Sequence, residues 1–74
     1  LSQCASHADA RVGSGFAALR LGRLAEAESA FVAVTRTTPR YGDAWDGLAL
    51  VRQRRGDLAG AIAAWREVVA VDPG

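Results

Sequence analysis

The 74-residue sequence predicts an all-α chain made of two consecutive helix hairpins. Three observations carry the prediction. Offset by 34 residues, the chain matches itself at Asp9/Asp43, Ala10/Ala44, Gly13/Gly47, Arg20/Arg54 and Leu24/Leu58, and again at Ala27/Ala61, Ala30/Ala64 and Val34/Val68. The same register pairs Gly22 with Gly56 and Pro39 with Pro73, residues that stop helices. Between these stops the apolar residues recur every three to four positions, the period of a helix with one buried face.

The elements follow in order. Residues 1–7 fall where the tail of a preceding unit would lie, Leu1 being in register with Thr35 and Val69, and read as the end of an upstream helix or a linker. Unit one covers 8–41 and unit two 42–74. In unit one a helix is predicted over 10–21, broken at Gly22-Arg23, then a second over 24–37 with Ala27, Phe31 and Val34 facing inward. Val32 and Thr35 have β-branched character, but they sit inside a sustained helical period. In unit two a helix over 44–55 carries Trp45, Leu48, Ala49, Val51 and Arg52 at helical spacing, and Gly56 stops it. Asp57 is placed to cap the last helix. From Leu58 the set Ala61, Ile62, Ala64, Trp65, Val68 and Val69 forms its apolar face until Pro73.

Composition excludes several functions. At 7.8 kDa a single small domain is expected, burying only about 60% of the surface of its unfolded chain. A chain so short has little room for a substrate domain, cofactor fold and lid, so no catalytic activity is expected. Half the residues are hydrophobic and 23% charged, which is ordinary globular usage. Sixteen alanines and nine arginines with no lysine, asparagine or methionine suggest GC-rich codon drift, as in many bacterial genomes, so the arginines alone signal nothing. The net charge of +1 lacks the basic stripe that phosphate backbones require, and nucleic acid is not an expected partner. Cys4 is the single cysteine, so no intrachain disulfide can form and a reducing, cytoplasmic setting is favoured. The longest apolar run, 68–71, cannot span a bilayer, so no membrane insertion of this segment is expected. The start at Leu1 without methionine suggests a piece of a longer protein.

Period and residues together resemble the tetratricopeptide repeat family, whose 34-residue unit runs W-x2-L-G-x2-Y, then A-x3-F, then P. In unit two Trp45-x2-Leu48-Ala49, Gly56-Asp57-Leu58, Ala61-x3-Trp65 and Asp72-Pro73 stand at the pattern's places, with Arg52 for its tyrosine. In unit one Gly15, Gly22, Ala27, Phe31 and Pro39 match, whereas Arg11, Ser14 and Ala18 replace Trp, Leu and Tyr. The resemblance covers residues 8–74. It implies a right-handed α-α superhelix, a short solenoid of antiparallel hairpins that binds protein or peptide. Small residues at Gly15, Ala27, Ala49 and Ala61 would let the paired helices approach to about 8 to 9 Å. Phe31 and Trp65 would project toward the following pair.

The resemblance also implies that the first helix of each unit lines a concave face. Asp9, Val12, Gly13, Phe16, Leu19 and Arg20 would then line it in unit one, and Asp43, Asp46, Gly47, Leu50, Gln53 and Arg54 in unit two. Acids stand at one end, Phe16 and Leu50 in the middle, and Arg20 and Arg54 at the other end. The two arginines share a repeat position and suit a carboxylate held bidentately. The alternative is that they complement the negative ends of their helices and are solvated. Family members that clamp acidic chaperone tails use Lys and Asn here, where this chain has Val12, Phe16, Asp46 and Leu50, so that specialised role is not implied.

Other constellations are weaker. Cys4-x2-His7 offers two ligands where a closed zinc site needs four, so neither metal nor cofactor is expected. Asp43 and Asp46 are first-turn acids favoured by the helix dipole rather than a catalytic pair. Arg52, Arg54 and Arg55 form a cluster without a stacking aromatic, read as a solvated face. Apolar repeat ends suggest self-association, end to end or by hairpin exchange. The competing expectation is a structural or dimerising segment of a larger enzyme or regulator.

Overall fold

A computed structural model describes residues 3–71, with side chains from Ala8 onward. The described residues form α1 (Gln3–Arg20), α2 (Leu24–Thr37), α3 (Gly42–Arg54) and α4 (Leu58–Val71), and contain no strand. The all-α class is as the periodicity indicates, and residues 32–35 stay helical. α3 starts at Gly42, two residues before the expected 44. The largest boundary difference is at α1, which begins at Gln3, so residues 3–7 open the first helix instead of ending an upstream one. No glycine or proline stands between Gln3 and Val12 to interrupt a run of acceptable helix formers. Leu1 and Pro73 lie outside the described residues.

Each hairpin turns on one left-handed glycine. Gly22 has φ of 79° and Gly56 of 83°, a conformation that side chains resist. Around them the backbone closes the same double bond twice. Arg23 N–H donates to Ala18 at 2.8 Å and Gly22 N–H to Leu19 at 3.1 Å, matched by Asp57 to Arg52 at 2.8 Å and Gly56 to Gln53 at 3.0 Å. This is a Schellman motif, which satisfies the last carbonyls of α1 and α3 and reverses the chain. The 34-residue repeat is therefore repeated in hydrogen bonds as well as in letters.

The helix starts after these turns differ. Asp57 Oδ1 accepts from Gly60 N–H at 3.0 Å, the expected cap of α4. Arg23, its counterpart, makes no side-chain cap for α2. Between the hairpins the chain leaves α2 at Thr38, whose backbone is no longer helical, as a residue before proline disfavours the helical region. Trp45 Nε1 donates to the Pro39 carbonyl at 2.8 Å and pins the turn onto α3.

The core runs between successive helices, with α1 also touching α3. Ala27, Phe31, Val34, Ala44, Ala49, Val51 and Ala61 are fully buried, joined by Ala8, Val12, Leu19 and Leu48. Phe31 is the wedge. A Cβ added at Gly15 would come within 2.8 Å of its ring, and one added at Gly47 would come closer still. One aromatic ring thus contacts α1 and α3 at once, and glycine is required on both helices. The inward set expected on α4 is only half realised: Ala61 and Ala64 are buried, whereas Ile62 is 50% and Val69 65% exposed. These two stand at the repeat positions of Glu28 and Thr35, the flank of α2 that meets α3, and on α4 that flank has no neighbouring helix among the described residues.

Candidate functional site

The row of residues anticipated along α1 and α3 divides into three groups. Asp9, Arg20, Asp43, Gln53 and Arg54 are exposed, and Phe16, Asp46 and Leu50 are half-buried. Val12 and Leu19 do not line a surface. At 6% and 5% exposure they belong to the core with Ala8, Phe31, Ala44 and Leu48, α2 and α3 both packing on α1. Gly47 is likewise buried under Phe31, whereas Gly13, its counterpart, is open.

What remains is an apolar middle with charged ends. Phe16 stands edge-on to Phe31, ring centroids 5.0 Å apart and planes at 71°, an arrangement favoured by the ring quadrupoles. It is held by the core yet keeps one edge outward. Arg20 lies one turn on, and both border a shallow depression of about 470 Å³ with Gly13, Ala17 and Leu21. Arg54 occupies the same repeat position on α3. Among the described residues neither Arg20 nor Arg54 pairs with a carboxylate, and both guanidinium groups face solvent.

The acidic end is tied down. Tyr41, in the turn before α3, donates its hydroxyl hydrogen to Asp9 of α1. The hydrogen bond raises the Tyr41 pKa to about 12, helped by partial burial and by the negative charges of Asp9 and Asp43. Asp9 thus acts as a clasp between the hairpins. Tyr41 and Asp43 also border a second shallow depression, of about 510 Å³, with Thr38, Arg40, Gly42 and Val71.

The arginine cluster of α3 is not simply a solvated face. Glu28 of α2 receives Arg55 Nη1 at 2.8 Å and stands 3.9 Å from Arg52 Nε, so two of its three arginines bind the hairpins together. Arg52 and Arg55 are three apart on one helix face, which was the signal available for a shared acidic partner. Among the residues searched, no group of acids, His and Cys is arranged to hold a metal ion; the Cys4 and His7 side chains lie outside the described residues.

Known proteins give a partial match. No protein-family model matches the chain, and no solved structure does. The chain is 37% identical over 60 residues to cellulose synthase operon protein C of Komagataeibacter xylinus, and equally to cellulose synthase 1 operon protein C of the same organism. The match covers 81% of this chain and 4% of each relative. It is a short helical segment resembling part of a much longer protein, and its two tandem hairpins are compatible with tetratricopeptide-like repeats. No described helix is long and apolar enough to cross a membrane.

Proposed function

We propose that this chain is a non-catalytic interaction module of tetratricopeptide type, a helical scaffold segment that binds an extended peptide or protein segment. The observation that supports this reading best is the occurrence of Arg20 and Arg54 at one repeat position, both solvent-facing and without a carboxylate partner among the described residues, beside the half-buried Phe16 and Leu50. Arg52 and Arg55, by contrast, are held by Glu28. Free guanidinium groups next to apolar surface suit a ligand that ends in a carboxylate and carries an apolar side chain.

The test is a titration with an acidic peptide selected for binding to the chain. Arg20→Glu with Arg54→Glu should weaken it at least tenfold, about 1.4 kcal/mol. Unchanged affinity rejects the reading. A second reading, a structural segment of a larger enzyme or regulator, is supported by the relatives, of whose length the chain spans only 4%. Their name places them in a cellulose synthase operon; the scaffold role, not that operon's chemistry, is what we carry to this chain.

A further inference from the structure

Among the described helices α3 alone has the other three against it, so its side chains still in solvent are not those of an end face. Apart from Asp43, the one acid of its first turn, those outside the core are Trp45, Asp46, Leu50, Arg52, Gln53 and Arg54. Two of these are held within the fold. Trp45 donates to the Pro39 carbonyl, and Arg52 reaches Glu28 and the Gly60 carbonyl. The others form one stripe: Asp46, Leu50 and Arg54 follow at intervals of four, with Gln53 beside the last. Asp46 is half-buried and has no ion-pair partner among the described residues. It also stands beyond the first turn, where the spacing had placed it and where the helix dipole favours an acid.

One repeat back, α1 matches this stripe at two of its three levels. Phe16 corresponds to Leu50 and Arg20 to Arg54, but Val12 corresponds to Asp46 and is buried. The two helices therefore share an apolar row and a basic row, and α3 alone adds an acid. Such a surface has a polarity, favouring an anion at one end and a cation at the other. Spacing selects the form of the ligand. Residues four apart on a helix rise about 6 Å, and alternate residues of an extended chain, which share a face, lie about 6.6 Å apart. Three same-face groups of an extended peptide thus fall level with Arg54, Leu50 and Asp46.

We propose that Asp46 is a specificity residue: the groove takes the extended C-terminal end of a peptide that carries Lys or Arg four positions before its last residue and an apolar residue two before. The carboxylate meets Arg20 and Arg54, the apolar side chain rests on Phe16 and Leu50, and the cation pairs with Asp46. The proposal rests on the carboxylate-binding reading and adds to it the cation and its distance. Asp46 then sets the direction of the peptide as well as its register, since a chain lying the other way brings its carboxylate to an acid. A fully exposed ion pair contributes little, but a half-buried carboxylate beside an apolar row is screened less by water and salt.

Affinity selection from random decapeptides with free C termini, on the 74-residue chain and on Asp46→Lys, tests it. On the native chain the enriched peptides should be basic four positions before the last residue and apolar two before. On Asp46→Lys the basic preference should turn acidic while the apolar one stays. Titration then compares one enriched peptide with its form carrying glutamine at the basic position. The native chain should lose about fivefold in affinity, and Asp46→Asn, which keeps the shape of the side chain, less than about twofold. Circular dichroism checks that both variants stay helical, and if Asp46→Lys unfolds, Asp46→Asn decides alone. Peptides that weaken with Arg20→Glu and Arg54→Glu yet show no basic preference at that position overturn the proposal and leave the carboxylate reading standing. A basic preference eight positions before the end, the spacing of a helical ligand, overturns it too. Failure to enrich any peptide, or binding that survives amidation of the C terminus, overturns both.

Discussion

α2 and α4 occupy the same place in two successive hairpins, carry the same Ala27/Ala61, Ala30/Ala64 and Val34/Val68 residues, and yet live in different surroundings. α2 is enclosed by α1 and α3, and its central aromatic is fully buried. α4 is covered on one side, and its central aromatic keeps part of its surface in water. The difference teaches that helical periodicity sets which residues share a stripe, while neighbours decide how wide a stripe is buried. Polar residues accordingly appear on the enclosed outer face of α2, where Glu28 finds two arginines, and apolar ones on the open face of α4.

The largest effect expected from this comparison is at the aromatics. Phe31→Ala removes a ring packed against two helices and should cost about 3 to 5 kcal/mol. Trp65→Ala, at concentrations where the chain is monomeric, should cost less than half as much despite the larger side chain. Urea unfolding followed by circular dichroism measures both, and equal losses would erase the distinction between an enclosed α2 and an open α4.

The helix starts give a smaller contrast. Asp57→Ala should lower stability by about 1 kcal/mol, since Gly60 N–H loses its acceptor. Arg23→Ala, at the counterpart that caps nothing, should stay within about 0.5 kcal/mol. The same denaturation curves report both values, and reversal of their order would show that the capping geometry is misassigned.

The smallest effect concerns the clasp between hairpins, and its sign follows from the raised pKa. Neutral Tyr41 is favoured in the folded chain, so its bond to Asp9 contributes below pH 10 and is lost as pH rises toward about 12. The chain has one tyrosine, so its phenolate absorbance can be followed directly. The midpoint should lie near 12 and fall toward 10 in Asp9→Ala. An unchanged midpoint in that variant removes the clasp.

Much of this fold was legible in the sequence because its punctuation is chemical. Gly22, Gly56 and Pro39 bound the helices where left-handed backbone or a missing amide hydrogen is required, and α2 matches its predicted limits for that reason. The start of α1 was not legible, since Ser2, Ser6 and Asp9 all suit a helix start and no glycine or proline before Val12 selects among them. The candidate site was half legible. Position in the repeat identified Phe16, Leu50, Arg20 and Arg54 as outward-facing in whole or part, but placed Val12 and Leu19 beside them, because spacing along one helix does not reveal how far the next helix overlaps it. Glu28 was missed for a related reason: its arginines lie 24 and 27 residues away, and only the crossing of α2 with α3 brings them together.

The central claim is that two hairpins stack in one register with Phe31 as the shared wedge. Nuclear Overhauser contacts from the Phe31 ring protons, in dilute monomeric protein, address it directly. The account predicts cross-peaks to the Hα protons of both Gly15 and Gly47 within one molecule. A ring in contact with only one of the two glycines, or with neither, would contradict it.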